Sequence, residues 1–280
     1  MKHIINILKG MAFGIANIIP GVSGGTMAVI TKVYDKLLSV FSLDFKAIKK
    51  HFIFIVFYGI GAVLGVGLGA VGLSELFENF YVPTQMFFTG VIVGSLPLIA
   101  KECVKEKPFA KINIIPLAVG IIGMVIFSLG KESSAMSMPD EITVPFALMM
   151  IAYLFIAAVA MILPGLSGSM VLLMLGVYPL ALGAVKDLNI PVILILCVGA
   201  GLGLVIGSRI IKILLNKFHQ GTYCVILGLV IGSVYAIFPF REIALNAQLV
   251  AGVICLAVGL VIPTIMEKLG ENRENKKSGE

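Results

Sequence analysis

The sequence Asn17-Ile18-Ile19-Pro20-Gly21-Val22-Ser23-Gly24-Gly25-Thr26 interrupts an apolar run, and it returns as Met161-Ile162-Leu163-Pro164-Gly165-Leu166-Ser167-Gly168-Ser169. Proline removes a backbone donor and clashes with the preceding turn, so each Pro-Gly pair must end a helix. In hydrocarbon such a break is tolerated only where protein or a water-filled cavity covers the freed backbone groups. Breaks at corresponding places in two halves of a membrane chain point to a binding site near the bilayer midplane.

Around the breaks, uncharged apolar blocks occupy residues 52–73, 84–100, 112–129, 144–163, 166–185, 190–208, 222–238 and 247–266. Each is close to the ~20 residues that a helix needs to cross a hydrocarbon core of ~30 Å. With 59% hydrophobic residues, 13% charged residues and a mean hydropathy of +1.07, the chain is excluded from the soluble class. It is expected to be an all-α polytopic membrane protein. The arms flanking the first break, Met11 to Ile19 and Val22 to Thr31, hold nine and ten residues. At ~1.5 Å per residue each covers only about half of the core, which predicts a re-entrant helical hairpin. The arms of the second hairpin are long enough to cross completely. Lys2 and Lys9 precede the first apolar run as in a signal peptide, but no small-residue cleavage site follows, so the segment is expected to stay in the mature protein. Cys103, Cys197, Cys224 and Cys255 lack CxxC or metal-ligand spacing, which argues against disulfides and a metal centre.

The break belongs to a longer repeat. Pro20-Gly21-x-Ser23-Gly24 aligns with Pro164-Gly165-x-Ser167-Gly168, and Val33-Tyr34 with Val177-Tyr178, at the 144-residue offset from Pro20 to Pro164. Gly61, Gly65 and Gly69 align with Gly199, Gly203 and Gly207, and Gly90 and Gly94-Ser95 with Gly228 and Gly232-Ser233, at the 138-residue offset from Gly61 to Gly199. The GxxxG spacing of Gly61/Gly65/Gly69 and Gly199/Gly203/Gly207 is expected to serve helix packing rather than ligand contact. The predicted halves are residues 1–130 and 144–269, each a re-entrant hairpin plus three transmembrane helices. An extracytoplasmic linker at 131–143 joins them, and a disordered cytoplasmic tail follows at 270–280. If each hairpin returns to the side it entered from, all but Lys131, Lys186 and Arg241 of the 21 Lys and Arg residues fall on one side. That bias places both termini in the cytoplasm. Three full spans per half is an odd number, so the repeats are expected to have inverted topology. The +6 formal charge resides in these topology clusters, so nucleic acid is not an expected partner.

A helix that restarts after Pro20-Gly21 presents unsatisfied N–H groups and a positive dipole end. The Ser23 and Thr26 hydroxyls are further donors or an N-cap, and Gly24 and Gly25 let an oxyanion approach the backbone. Ser167, Gly168 and Ser169 offer the same from the other break. Lys32 and Arg209 are expected near the cytoplasmic mouth, where they could attract an anion. The GxSG sequences at Gly21 and Gly165 also look like the motif of rhomboid-type intramembrane serine proteases. A serine nucleophile needs a base in reach, and His3, His51 and His219 all lie in expected cytoplasmic segments or at span ends.

Gly10-Met11-Ala12-Phe13-Gly14-Ile15-Ala16-Asn17-Ile18-Ile19-Pro20-Gly21-Val22-Ser23-Gly24-Gly25-Thr26, with the later Leu163-Pro164-Gly165-Leu166-Ser167-Gly168-Ser169, resembles the polyprenyl-phosphate transporter family over nearly the whole chain. The resemblance implies a multi-pass plasma-membrane protein of a prokaryote, and not an enzyme. It implies a flippase that returns undecaprenyl phosphate, the lipid carrier of peptidoglycan precursors, from the outer to the inner leaflet. The implied headgroup site, taken with the breaks themselves, comprises Asn17, Gly21, Ser23, Gly24, Gly25, Thr26, Gly165, Ser167, Gly168 and Ser169. The second motif departs from the first, with Ser169-Met170 in place of Gly25-Thr26. A transporter of a small soluble anion would use the same paired breaks. Carrying a lipid phosphate inward moves negative charge toward a negative interior, at about 2.3 kcal/mol per charge per 100 mV, so coupling to protons or sodium is expected. No cofactor is expected. The expected partners are the lipid phosphate, membrane lipids and further copies of the chain in a homo-oligomer.

Overall fold

A computed structural model of the protein describes all residues except 1, 19–22, 131–135, 140, 241, 243–246 and 279–280. Among the described residues the order is α1 (Lys2–Ile18), α2 (Gly24–Ile30), α3 (Tyr34–Phe41), α4 (Phe45–Asn79), α5 (Tyr81–Cys103), α6 (Ile114–Leu129), α7 (Val144–Ile162), α8 (Gly168–Met174), α9 (Tyr178–Lys186), α10 (Ile190–Lys217), α11 (His219–Ile237) and α12 (Ala247–Ser278). The first six α-helices and the last six share one pattern, two short helices between longer ones. Among the described residues, segments of α4, α5, α6, α7, α10, α11 and α12 are each long and apolar enough to cross a membrane.

Local chemistry sets the turns of the two short-helix regions in parallel ways. Ser23 caps α2 by accepting from the Gly25 N–H, and Asp44 caps α4 by accepting from Ala47. Lys32 and Gly176 carry positive φ of 55° and 71° just before α3 and α9, and Leu43 and Leu188 carry 56° and 51° just after them. The second hairpin differs from the sequence reading in one respect. The arm expected at 166–185 is not one helix, since α8 and α9 meet at an angle of 109°. Gly176 takes up the left-handed turn, and Pro179 in the first turn of α9 cannot donate back to α8. At the other end of the chain α12 continues through residue 278, because extending an existing helix needs no new nucleus.

Glycines determine how the long helices pair. A β-carbon on Gly61 or Gly65 would strike the backbone of Ile7 or Met11, and one on Gly199 or Gly203 that of Ile151 or Phe155. Residue numbers rise together along both contacts, so α1 runs parallel to α4 and α7 parallel to α10. Gly90 and Gly94 meet Leu256 and Leu260, and Gly228 and Gly232 meet Leu117 and Ile121, which makes α5 parallel to α12 and α6 parallel to α11. Each half therefore lends its last helix to the other half. The main core joins α1–α5 to α10 and α11 through Ala16, Ala28, Leu38, Tyr58, Ile99, Ile211 and Val230.

These contacts predict opposite outcomes for two glycines. A β-carbon at Gly203 would lie 2.5 Å from the Phe155 carbonyl oxygen and 2.8 Å from the Ala158 β-carbon, whereas at Gly59 it would meet nothing within 4 Å. Gly203→Val is expected to destabilise by about 1–3 kcal/mol or more through overpacking. Gly59→Ala is expected to be neutral or to stabilise by up to ~1 kcal/mol. Thermal unfolding of the two variants in detergent checks the difference.

Candidate functional site

The two breaks, far apart in sequence, meet in space. The Gly165 N–H donates to the Thr26 hydroxyl at 2.8 Å across 139 residues of sequence. The Ser23 hydroxyl donates to the Leu163 carbonyl at 3.3 Å while also accepting from the Gly25 N–H at 3.2 Å. Gly25 lies against the break itself, for a β-carbon there would sit 2.8 Å from the Ile162 oxygen and 3.0 Å from the Pro164 nitrogen. Gly165 has a φ of +92°, a conformation that favours glycine, and is packed on Leu229 and Val230 of α11.

Of the residues singled out from sequence, Ser23, Gly24, Gly25, Thr26 and Gly165 are buried at this junction; Ser167 and Gly168 are buried just beyond it, Gly168 against Ala157 and Met161 of α7, and Ser169 is half-buried. The Ser167 and Ser169 hydroxyls bond each other at 2.8 Å. Ser167 therefore stands at the start of α8 without capping it by its side chain, unlike Ser23 on α2. Asn17 donates from its amide to the Phe13 carbonyl at 2.8 Å and lies against Gly24, where a β-carbon would collide with it. Gly21 lies outside the described residues, as do Ile19, Pro20 and Val22. An apolar cavity lined by Phe13, Gly25, Ala28, Leu37, Met161 and Ile162 adjoins the junction. In such surroundings a hydrogen bond to an anion is stronger than in water, and an unmatched polar group is costly. The junction thus concentrates hydroxyls and backbone N–H groups in an apolar setting. That chemistry suits a small oxyanion.

The Ser23 and Ser167 hydroxyls are engaged as described, while the His3 ring lies tilted against Phe57 at 4.4 Å between centroids and the His219 ring against Tyr223 at 4.8 Å. Cations gather instead at the lysine-rich end. The Lys9 ammonium donates to the Thr31 carbonyl at 2.6 Å, at the C-terminal end of α2. Lys32 is exposed there in its left-handed turn.

Sequence reasoning placed Arg209 at this end but missed its partners. Its Nε donates to the Ser42 carbonyl at 3.0 Å, and one turn on, Lys212 pairs with the Asp44 carboxylate at 3.0 Å. Asp before an apolar helix is a readable capping signal, whereas its pairing across 168 residues is not. The Lys212 hydrogen bond, followed by that from Ala47, holds the Asp44 carboxyl below the usual carboxylate range. A depressed carboxylate pKa means that the pairing is complete above the ordinary value and is lost as pH falls through the lowered one. The link between the α3–α4 turn and α10 is therefore intact at neutral pH. No comparable packing of α9 on α4 exists among the described residues.

Two curated relatives are similar over most of the chain. A polyprenyl-phosphate transporter of Vibrio cholerae serotype O1 is 31% identical over 258 residues, covering 86% of this chain and 80% of the relative. A polyprenyl-phosphate transporter of Staphylococcus aureus is 31% identical over 244 residues, covering 84% of this chain and 86% of the relative. No solved structure matches the chain. The family model described as VCA0040-like, undecaprenyl phosphate translocase-like, matches residues 13–255, a stretch that contains both breaks, and the chain belongs to that family.

Proposed function

We propose that this protein is a membrane transporter of polyprenyl phosphate, which carries undecaprenyl phosphate from the outer to the inner leaflet so that the carrier of cell-wall precursors can be reused. The observation that carries the reading is the contact between the two Pro-Gly-x-Ser-Gly breaks through Thr26 and Gly165, in a chain whose curated relatives are named polyprenyl-phosphate transporters. The headgroup is bound by Ser23, Gly24, Gly25 and Thr26 from one break and by Gly165, Ser167, Gly168 and Ser169 from the other. It takes over hydrogen bonds that the two breaks otherwise make to each other. The prenyl tail stays in the bilayer.

Alternating access arises from two inverted repeats, each with a re-entrant hairpin. The parallel pairing of α1 with α4 and of α7 with α10 supports this, because the two short helices between must return the chain to the side where it began. Counting crossings from α4 to α10 then gives opposite directions for the two halves. The lysine bias supports cytoplasmic termini in a prokaryotic plasma membrane, and the charge moved favours coupling to a proton or sodium gradient.

Protein reconstituted in vesicles is expected to speed transbilayer movement of a fluorescent short-chain prenyl phosphate well above protein-free vesicles. Uptake of inorganic phosphate with no effect on the lipid would overturn this reading in favour of a soluble anion.

A further inference from the structure

We propose that Arg209 and Lys212 form a second anion site, on the lysine-rich side of the junction, which the α3–α4 turn occupies here and which receives the lipid phosphate headgroup when that turn withdraws. This rests on the lipid-phosphate reading above.

Position supports it first. Gly207 packs against Val159 and Ile162 of α7, and Ile162 immediately precedes the second break. At a rise of ~1.5 Å per residue, Arg209 and Lys212 stand about 3 and 7.5 Å further along α10, within two turns of the headgroup site. An anion leaving the junction toward the lysine-rich side passes them.

The present acceptors support it second. Arg209 and Lys212 are satisfied by one carbonyl oxygen and one carboxylate oxygen, each at 3.0 Å. A phosphate monoester offers oxygens of the same kind, and arginine with lysine is a pairing suited to it. The Lys212 and Asp44 side chains are each 37% exposed, and ion pairs as open as this are weak and readily exchanged. Arg209 is exposed as well.

Comparison of the halves supports it third. Asn189 caps α10 as Asp44 caps α4, accepting from Val192 after a left-handed Leu188 that matches Leu43. The turn therefore needs only an amide oxygen for its cap, and the carboxylate of Asp44 is an addition that neutralises Lys212. At the 138-residue offset of the glycine ladders, Arg209 and Lys212 correspond to Val71 and Ser74. The positions that match the two cations thus carry no charge in the other half.

Asp44→Asn is the informative variant, since Asn189 shows that asparagine caps this turn. Binding of farnesyl phosphate to the full chain in nanodiscs, followed by calorimetry, is expected to tighten about two- to fivefold in Asp44→Asn as the competing charge is lost. Arg209→Gln with Lys212→Gln is expected to weaken it about tenfold or more and to abolish the gain from Asp44→Asn. Arg209→Lys with Lys212→Arg keeps both charges and should restore most of the affinity, which separates charge from folding. Inorganic phosphate should compete poorly, because it lacks the tail, and equal competition would overturn the assignment to a lipid headgroup. Wild-type binding that neither Asp44→Asn nor the double glutamine variant alters would overturn this site alone. Absence of wild-type binding would overturn the lipid-phosphate reading as well.

Discussion

Gly25→Val is expected to lower lipid-phosphate movement by about a hundredfold or more while the helices remain folded. A β-carbon at Gly25 would meet the Ile162 oxygen at 2.8 Å, the Pro164 nitrogen at 3.0 Å and the Leu163 carbonyl carbon at 3.1 Å. All three are backbone atoms at a break pinned by Pro164 and Gly165, so they cannot swing aside as a side-chain tip would. The breaks must separate, and with them go the bonds from Ser23 to Leu163 and from Gly165 to Thr26. A buried donor left unpaired costs about 1–3 kcal/mol. A displacement of ~1 Å in a positioned site can cost about a hundredfold in rate. Gly67→Ala is the control, because a β-carbon there meets nothing within 4 Å. Vesicle assays on the two variants measure the effect, and a wild-type rate in Gly25→Val would show that the contact between the breaks has no part in transport.

The second large effect is expected in Ser23→Ala combined with Ser167→Ala. Ser23 loses the cap on Gly25, at about 1 kcal/mol, and a donor that now reaches Leu163. Ser167 loses the hydroxyl that now bonds Ser169. Toward a phosphate the loss is larger, since hydrogen bonds to a charged group contribute about 1.5–3 kcal/mol each. Two of them correspond to roughly a hundredfold or more in affinity. Native mass spectrometry of purified protein is expected to find phosphate-headed lipid on the wild type and little on the double variant. Ser23→Thr with Ser167→Thr should retain it. Full retention by the double alanine variant would remove these hydroxyls from the site.

What could be read from sequence followed local rules. Pro-Gly stops a helix and serine restarts it, so both breaks and the Ser23 cap were legible from a few residues. The glycine ladders were legible because their spacing repeats, and Gly61, Gly65, Gly199 and Gly203 do press on neighbouring backbones. The break between α8 and α9 was present in Gly176 and Pro179 but hidden by the unbroken hydropathy of residues 166–185. Partners across the chain left no local mark. Nothing near Thr26 announces that its hydroxyl receives Gly165, and nothing near Lys212 announces Asp44.

In the proposed mechanism a phosphate headgroup, with its prenyl tail left in lipid, is handed across the membrane between two meeting breaks. Transbilayer movement in vesicles of a prenyl phosphate beside the matching prenyl alcohol tests it most directly. The wild type is expected to accelerate the phosphate and to leave the alcohol at the protein-free rate, and Gly25→Val is expected to remove the acceleration. Equal acceleration of both lipids, or movement of the phosphate at the protein-free rate, would contradict it.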